Sequence, residues 1–287
     1  MPSLQGLRRK IGSIKNTQKI TKAMKMVAAA KLKRAQERIL AARPYAQKMA
    51  VVLASLAGRV NRQGHPLLRK PSGTRLELLV VTSDRGLCGA FNANILRKAV
   101  EFLREKQDAG YTVTVSIVGR KGRDFFRRRP WPRRQEWIGM FDRLSYEHAL
   151  DIGGDIVQQF TTGTFDELYL VYNEFKSIIQ QRMVIEKLLP IESLDPEDGM
   201  LGGGYLFEPN EEDLLRILLP KHIEVQAFHA LLESSAAELG ARMAAMDGAT
   251  RNAGELIKKL TLYYNKTRQA AITKELMDIV GGAEAVR

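Results

Sequence analysis

The chain has 287 residues, of which 45% are hydrophobic, and it carries a formal net charge of +13. A chain of this length usually forms one or two domains. Its composition excludes two features. The sequence contains no run of eighteen apolar residues, which a membrane-spanning helix would need. The single cysteine, Cys88, excludes an internal disulfide and fits a reducing compartment.

The excess positive charge lies at the N-terminus. Residues 1–60 contain fourteen Lys and Arg against one acidic residue, Glu37, whereas the remainder holds 31 basic and 31 acidic residues and is balanced. Such a field attracts an acidic partner, which could be nucleic acid, anionic lipid or an acidic protein surface. Composition alone favours nucleic acid. The first ten residues lack the apolar core of a signal peptide, and although they loosely suggest a transit peptide they are interpreted as mature protein.

Two heptad rows, beginning at Leu4 and Leu7, run through the first sixty residues and predict a long helix with a narrow seam. Every position of the two rows is apolar except Gln18, Thr21 and Lys25. Pro44 should kink this helix, because its ring blocks the hydrogen bond to the preceding turn.

The middle of the chain changes period and alternates between strands and helices. Strands are predicted at 76–82, 112–118 and 167–173, a weaker strand at 137–144, and a further strand at 182–189 beside the third. Helices are predicted at 91–109, 120–128 and 145–160. This order predicts a mostly parallel, doubly wound sheet with helices on both faces.

A loop at 190–210 and a short helix at 211–219 lead to Pro220, which fits the first turn of a second long helix. Its heptad rows begin at Ala236 and Leu239, and at ~1.5 Å per residue it would be about 90 Å long. Two seams at opposite ends of one chain predict an antiparallel coiled coil, and two helices of an ordinary bundle are the alternative. The predicted division is a helix at 1–60, a linker at 61–75, an α/β domain at 76–190, a loop and short helix at 191–219, and a helix at 220–287.

Candidate chemistry is weak throughout. The turn Ser83–Gly89 follows the first strand, where a phosphate loop would lie, but it matches neither dinucleotide nor P-loop signatures. A tight structural turn is therefore favoured over a nucleotide site. Cys88 beside Arg85 could be an activated thiol, yet no histidine is near in sequence, so a buried, inert cysteine is favoured. The four histidines lack metal-ligand spacing, and the sequence argues against a free-standing enzyme and against a cofactor.

The basic run Arg120–Arg134 is interleaved with Phe125, Phe126 and Trp131 and is similar to a nucleic-acid-binding patch. Its two prolines favour a solvated basic loop instead.

Three segments carry a family resemblance: Asn16–Met24 (NTQKITKAM), Thr82–Gly89 (TSDRGLCG) and Tyr264–Leu276 (YNKTRQAAITKEL). Their sequences and order resemble the gamma subunit of F-type ATP synthase across the whole chain. The resemblance implies an α/β protein with a long helical hairpin, in which the antiparallel coiled coil of the terminal helices is joined to a Rossmann-like α/β domain. It implies a non-catalytic rotor subunit, without a cofactor, that turns inside a ring of alpha and beta subunits. The α/β domain would bind the epsilon subunit and the ring of c subunits, and proton flow through that ring would drive rotation.

The resemblance also implies which residues meet these partners. The alpha and beta subunits would be contacted near the C-terminus by Arg268, Gln269 and Thr273, with Arg242 helping. Lys22, Met24 and Lys25 would meet an acidic loop of the beta subunit, so the acidic partner of the basic segment would be protein rather than nucleic acid. Tyr205 and Glu208 would touch the c ring, and Ile279–Val286 would sit in an apolar bearing.

Two departures from the family matter. Plastid members carry an insert with a regulatory cysteine pair, whereas this sequence has one cysteine, so thiol control is not expected. The absence of a transit peptide implies a bacterial protein, peripheral on the cytoplasmic face of the inner membrane. The segment Arg120–Arg134 matches no motif of the family.

Overall fold

The computed structural model describes residues 3–57, 65–68, 73–178, 180–191, 208 and 210–284. The chain forms two compact units, one made of Met1–Ala28 with Met243–Arg287 and the other of Ala29–Arg242. Among the described helices, none combines the length and apolar character needed to cross a membrane.

The longest elements are the two terminal helices, α1 (Leu4–Ala57) and α5 (Glu211–Glu284). Helical structure continues through Pro44 in α1 and through Pro220 in α5 without a break. The prediction that the second long helix starts at Pro220, after a separate short helix, is wrong. The start is at Glu211 because Asn210 caps it, accepting the N–H of Asp213 through Oδ1 at 2.8 Å, and because acidic side chains in the first turn favour a helix N-terminus.

Within the unit of Met1–Ala28 and Met243–Arg287, the two helices run antiparallel. Thr21 Oγ1 lies 2.8 Å from Thr250 Oγ1, and Lys25 Nζ lies 2.6 Å from Asp247 Oδ1, so residue numbers rise along one helix as they fall along the other. Gln18 Nε2 also donates to the Thr250 carbonyl at 3.3 Å. Every predicted seam position of α1 is buried or half-buried. The predicted antiparallel coiled coil is therefore confirmed.

The other unit contains a five-stranded sheet of β1 (Arg75–Val81), β2 (Thr112–Val118), β3 (Arg133–Trp137), β4 (Glu167–Phe175) and β5 (Gln181–Leu189). The strand order is β3-β2-β1-β4-β5, with β5 antiparallel and the other pairs parallel. The predicted mostly parallel sheet is confirmed. Its central strand β1 is buried from Leu76 to Val81, as expected for a strand covered on both faces.

The connecting helices are α2 (Phe91–Asp108), α3 (Arg120–Phe126) and α4 (Tyr146–Thr161), with short 3-10 helices at Pro66–Leu68 and Met140–Arg143. Ile95 and Leu103 of α2 are fully buried in a core that they share with β1 and β2. The first part of α5 also packs on this unit, since Phe228 meets the ring of Tyr146 at 5.4 Å and Glu233 accepts the Phe175 N–H at 2.9 Å.

The predicted position of the weaker strand, 137–144, is wrong. The strand β3 begins at Arg133 and ends at Trp137, and a 3-10 helix occupies most of the remainder. Gly139 has a φ of 82°, a left-handed conformation that ends the extended chain. The true strand lies at the edge of the sheet and is mostly polar (RRQEW), so no apolar run marked it.

Candidate functional site

The residues implied to contact the alpha and beta subunits at the C-terminus lie on the exposed surface of α5. Arg268, Gln269 and Thr273 are all exposed. Thr273 Oγ1 donates to the Gln269 carbonyl at 3.0 Å, one turn away. Arg268 forms no ion pair within the described part of the chain, so its five N–H donors are available to a partner.

These residues are exposed because α5 extends beyond the end of its partner helix α1. The contacts of Thr21 with Thr250 and of Lys25 with Asp247 set a register that, continued along the pair, brings Leu4 opposite Thr267. Beyond that point α1 supplies no further turn for α5 to pack on. All residues from Ile272 to Gly282 are accordingly exposed.

The exposed end of α5 is nevertheless apolar in part. Its large aliphatic side chains are between 49% and 69% exposed, and they are Ile272, Leu276, Met277, Ile279 and Val280. A group of exposed apolar side chains of this size indicates a surface that another molecule covers.

The N-terminal candidates differ in their freedom to contact a partner. Lys22 is exposed and unpaired within the described residues, whereas Met24 and Lys25 are half-buried. Lys25 is already paired with Asp247, whose pKa is held below its ordinary value mainly by this hydrogen bond. Among the basic candidates, Lys22 is therefore the better placed to meet an acidic loop, and Lys25 first serves the coiled coil.

Arg242 is also engaged within the chain. It is half-buried, and its Nε donates to Glu238 Oε1 at 2.9 Å, one turn earlier on α5. Burial raises the pKa of Glu238, and the charge of Arg242 opposes that rise. Arg242 therefore neutralises a largely buried carboxylate.

The structure describes only one of the two residues implied to touch the c ring. Glu208 is exposed. Tyr205 lies outside the described residues, as does most of the predicted loop around it.

The turn after β1 is structural, as predicted. Ser83 donates its N–H to Asn92 Oδ1 at 3.0 Å and its hydroxyl to the Arg85 carbonyl at 2.6 Å. Leu87 takes a φ of 65°, a left-handed backbone conformation that is uncommon for residues other than glycine and occurs in turns. Cys88 is 2% exposed, and burial raises the pKa of its thiol, so it is the predicted buried cysteine rather than an activated nucleophile.

Asp84 in this turn has a role that the sequence analysis missed. Its Oδ1 accepts the N–H groups of Arg120 at 3.0 Å and Gly139 at 2.9 Å, and its Oδ2 accepts that of Phe141 at 3.4 Å. In nucleotide-binding α/β domains, backbone N–H groups at this edge of the sheet hold phosphate. Here the chain's own carboxylate takes the place of an anionic ligand. The available signal was an acidic residue three positions after the end of β1.

The basic run Arg120–Arg134 is not the solvated loop that its prolines favoured. It begins with α3 and ends in β3, and the side chains of Phe126 and Trp131 between them are buried. Arg134 is paired with two carboxylates. The run is ordered because its aromatic side chains pack into the core of the α/β unit. No group of three or more His, Cys, Asp or Glu in the described ranges could hold a metal ion.

Comparisons with known proteins agree with the two-helix architecture and with the three sequence motifs. A family model described as ATP synthase matches residues 3–286. The chain is 49% identical to the ATP synthase gamma chain of Anaeromyxobacter sp. (strain Fw109-5) and 48% identical to that of Geobacter sp. (strain M21), with complete coverage of both partners in each comparison.

Solved structures give the same result at the level of the fold. The chain is similar to one from the central stalk and c ring of the Tetrahymena thermophila mitochondrial ATP synthase, with a TM-score of 0.62, 26% identity, and coverage of 80% of this chain and 99% of that one. A chain of the Euglena gracilis mitochondrial ATP synthase gives a TM-score of 0.68 at 21% identity, covering 99% and 94%. By its sequence over the full length and by its fold, the chain belongs to the gamma-chain family of ATP synthases.

Proposed function

We propose that this chain is the rotating central stalk of an ATP synthase, which couples proton-driven rotation of the c ring to conformational changes in the catalytic beta subunits. The observation that carries the proposal is the end of α5. A single helix continues past its coiled-coil partner and presents Arg268, Gln269 and Thr273 beside exposed aliphatic side chains.

The mechanism follows from the shape of an antiparallel helix pair. Two helices in cross-section have no three-fold symmetry, so three surrounding beta subunits meet three different sets of side chains. Each set stabilises one conformation of its neighbour through differential contacts. A difference of about 1.4 kcal/mol between two conformations changes their population ratio tenfold. Rotation passes each set of contacts to the next beta subunit in turn.

The partners divide among the proposed contact residues. The alpha and beta subunits would be met by Lys22, Met24, Lys25, Arg242, Arg268, Gln269 and Thr273. The c ring would be met by Tyr205 and Glu208, and the α/β domain would also bind the epsilon subunit. The tip Ile279–Val286, whose last two residues lie outside the described part of the chain, would sit in an apolar bearing.

In this proposal the chain belongs to the enzyme complex but makes and breaks no bond itself. The amide donors that would suit a phosphate are taken by Asp84, which supports assigning nucleotide chemistry to the beta subunits. The complex would hold the chain at the cytoplasmic face of the inner membrane, as a peripheral subunit, and its similarity to bacterial gamma chains supports that assignment.

The proposal is tested by replacing Arg268 and Gln269 together with alanine. Both are exposed, so the subunit should fold normally. ATPase turnover of the complex reconstituted with alpha and beta subunits should fall about tenfold, since hydrogen bonds to a charged group contribute roughly 1.5–3 kcal/mol. Arg97→Ala, which removes an exposed arginine of α2 outside the proposed contacts, is the control and should leave turnover unchanged. Equal turnover in the double variant and the control would refute the assignment of this contact.

A further inference from the structure

The strongest feature that the stalk function does not use is a group of three consecutive arginines, Arg127, Arg128 and Arg129, here called the arginine turn. They follow α3 directly, and all three are exposed. Arg120 and Lys121, at the start of the same helix, are exposed as well. Five exposed cationic side chains thus stand on one short helix and the turn after it.

The arginine turn is held in a defined conformation by its backbone. Arg127 donates its N–H to the Arg123 carbonyl at 3.0 Å, and Arg129 donates to the Phe126 carbonyl at 3.0 Å. Side chains of Arg127 and Arg128 line one open groove together with Asp124.

Aromatic packing beneath the turn fixes it further. The ring of Phe126 lies edge-on to Phe125 at 5.2 Å and to Trp131 at 6.1 Å. Trp131 Nε1 donates to Gln107 Oε1 on α2 at 2.8 Å. A cationic surface that is already ordered loses less conformational entropy when it binds a partner.

Asp124, the carboxylate that lines the same groove, and three further carboxylates of this unit are already engaged by other groups. Asp124 pairs with Arg123 at 2.9 Å, and Asp142 pairs with Arg85 at 2.8 Å. Glu136 pairs with Arg133. Asp84 accepts backbone N–H groups. Within the described residues, no carboxylate lies within ion-pair distance of the three arginines of the turn.

The chemistry of the surface selects among acidic partners. Guanidinium groups bind carboxylates and phosphates through two parallel hydrogen bonds. Binding of single-stranded nucleic acid needs exposed aromatic rings for stacking, and membrane binding needs an exposed apolar anchor. Here Phe126 and Trp131 are buried, and the ring of Phe125 is covered by Arg129, whose Cζ lies 4.7 Å from its centroid.

We propose that the arginine turn is a docking surface for an acidic segment of another protein, bound through guanidinium–carboxylate pairs. Such a contact is mainly electrostatic, so it weakens as salt rises. It uses residues other than those proposed to meet the alpha, beta and c subunits.

The test measures binding of a fluorescent peptide of ten glutamates to the full chain by anisotropy at physiological salt. Changing all three arginines of the turn to glutamate should weaken binding at least tenfold. The matched control reverses three exposed charges outside α1 and the arginine turn by Arg97→Glu, Lys98→Glu and Lys176→Glu, and it should change binding less than threefold. Circular dichroism checks that both variants are folded.

A second variant separates guanidinium recognition from charge alone. Changing the three arginines to lysine keeps the charge but removes the paired donors, and it should weaken binding several-fold. Equal losses in the arginine-turn reversal and the control reversal would overturn the proposal, because they would indicate non-specific attraction. Tighter binding of duplex DNA, or of phosphatidylglycerol vesicles, through the same arginines would also overturn it.

Discussion

Glu77 places a carboxylate in the middle of the central strand β1 with no exposed surface. Arg134 of β3 binds it through Nε at 2.7 Å and Nη2 at 2.8 Å, and the same guanidinium reaches Asp155 of α4 at 2.6 Å. The three residues join two strands and a helix. An ion pair of this kind adds little net stability, because desolvation offsets most of its Coulomb attraction, but loss of one member leaves a buried charge unpaired.

Replacing Arg134 with methionine should therefore lower the free energy of unfolding by about 3–5 kcal/mol. Urea denaturation measures this difference. The neighbouring Arg133→Met, which removes only a surface pair with Glu136, should change stability by less than about 0.5 kcal/mol. The double variant Glu77→Leu with Arg134→Met should recover much of the loss, since neither charge then remains buried. A loss below 1 kcal/mol in Arg134→Met would contradict this account.

His222 on α5 gives the chain a pH dependence. Burial lowers the pKa of its imidazole from 6.5 to about 4. Between these values the unfolded chain binds a proton that the folded chain does not, so the free energy of unfolding must fall as the pH falls.

We expect this single group to remove roughly 3 kcal/mol of stability between pH 7 and pH 4. His222→Gln should abolish that contribution, so the difference in unfolding free energy between variant and parent should change steadily over this range. Chemical denaturation at pH 7, 6, 5 and 4 measures it. Parallel curves for the two proteins would show that His222 titrates normally in the folded state.

At the scale of the element, a polar segment interrupts the apolar seam of the coiled coil. The three polar residues in the α1 seam, Gln18, Thr21 and Lys25, meet Thr250 and Asp247 on α5. Polar residues at seam positions commonly specify register at some expense of stability. The seam of this pair is rich in small residues, which could slide past one another. The polar segment therefore explains how one register is selected.

A charge exchange tests that explanation. Lys25→Glu should lower the melting temperature of the subunit, because it places a second negative charge beside Asp247. Adding Asp247→Lys should restore most of the loss by re-forming the pair in reverse. Thermal unfolding followed by circular dichroism measures both changes. Glu255, an exposed residue of α5 outside the seam, provides a control through Glu255→Lys, which should change the melting temperature little. No recovery in the double variant would mean that the pair does not hold the register.

At the scale of the whole molecule, the distribution of charge bears on assembly. All of the excess charge of +13 resides in the first sixty residues, which contain the whole of α1. A field of one sign speeds the encounter with an oppositely charged partner and is screened by salt.

Neutralising Lys10, Lys15 and Lys19 to glutamine should therefore slow association with a complex of alpha and beta subunits by about threefold to tenfold at low salt. The rates of variant and parent should converge above about 0.5 M salt, where screening acts within a few ångströms. Stopped-flow fluorescence measures both. A matched variant in which three exposed basic residues of the other unit, Arg97, Lys98 and Lys176, are changed to glutamine controls for net charge. Equal slowing in both variants would mean that total charge, and not its position, governs assembly.

Features that repeat locally could be predicted from the sequence alone. The heptad rows from Leu4 and Ala236 and the alternation of strands and helices arise from the periodicity of each element, so they could be predicted without knowing any distant contact. The three family motifs, including TRQAAITKEL around Arg268, were equally local. The sequence also favoured a buried Cys88, because no histidine lies near it in the sequence to activate the thiol.

Which side chains meet depends on the tertiary packing of the elements. Lys25 and Asp247 lie 222 positions apart, and Arg134 and Glu77 lie 57 apart, so no local pattern links them. Asp84 acquires its anion-like role only when the strand edges bring Arg120 and Gly139 together. Likewise the exposed end of α5 follows from the register of two helices at opposite ends of the chain. Periodicity assigns a residue to a face, but a partner on another element is chosen by packing.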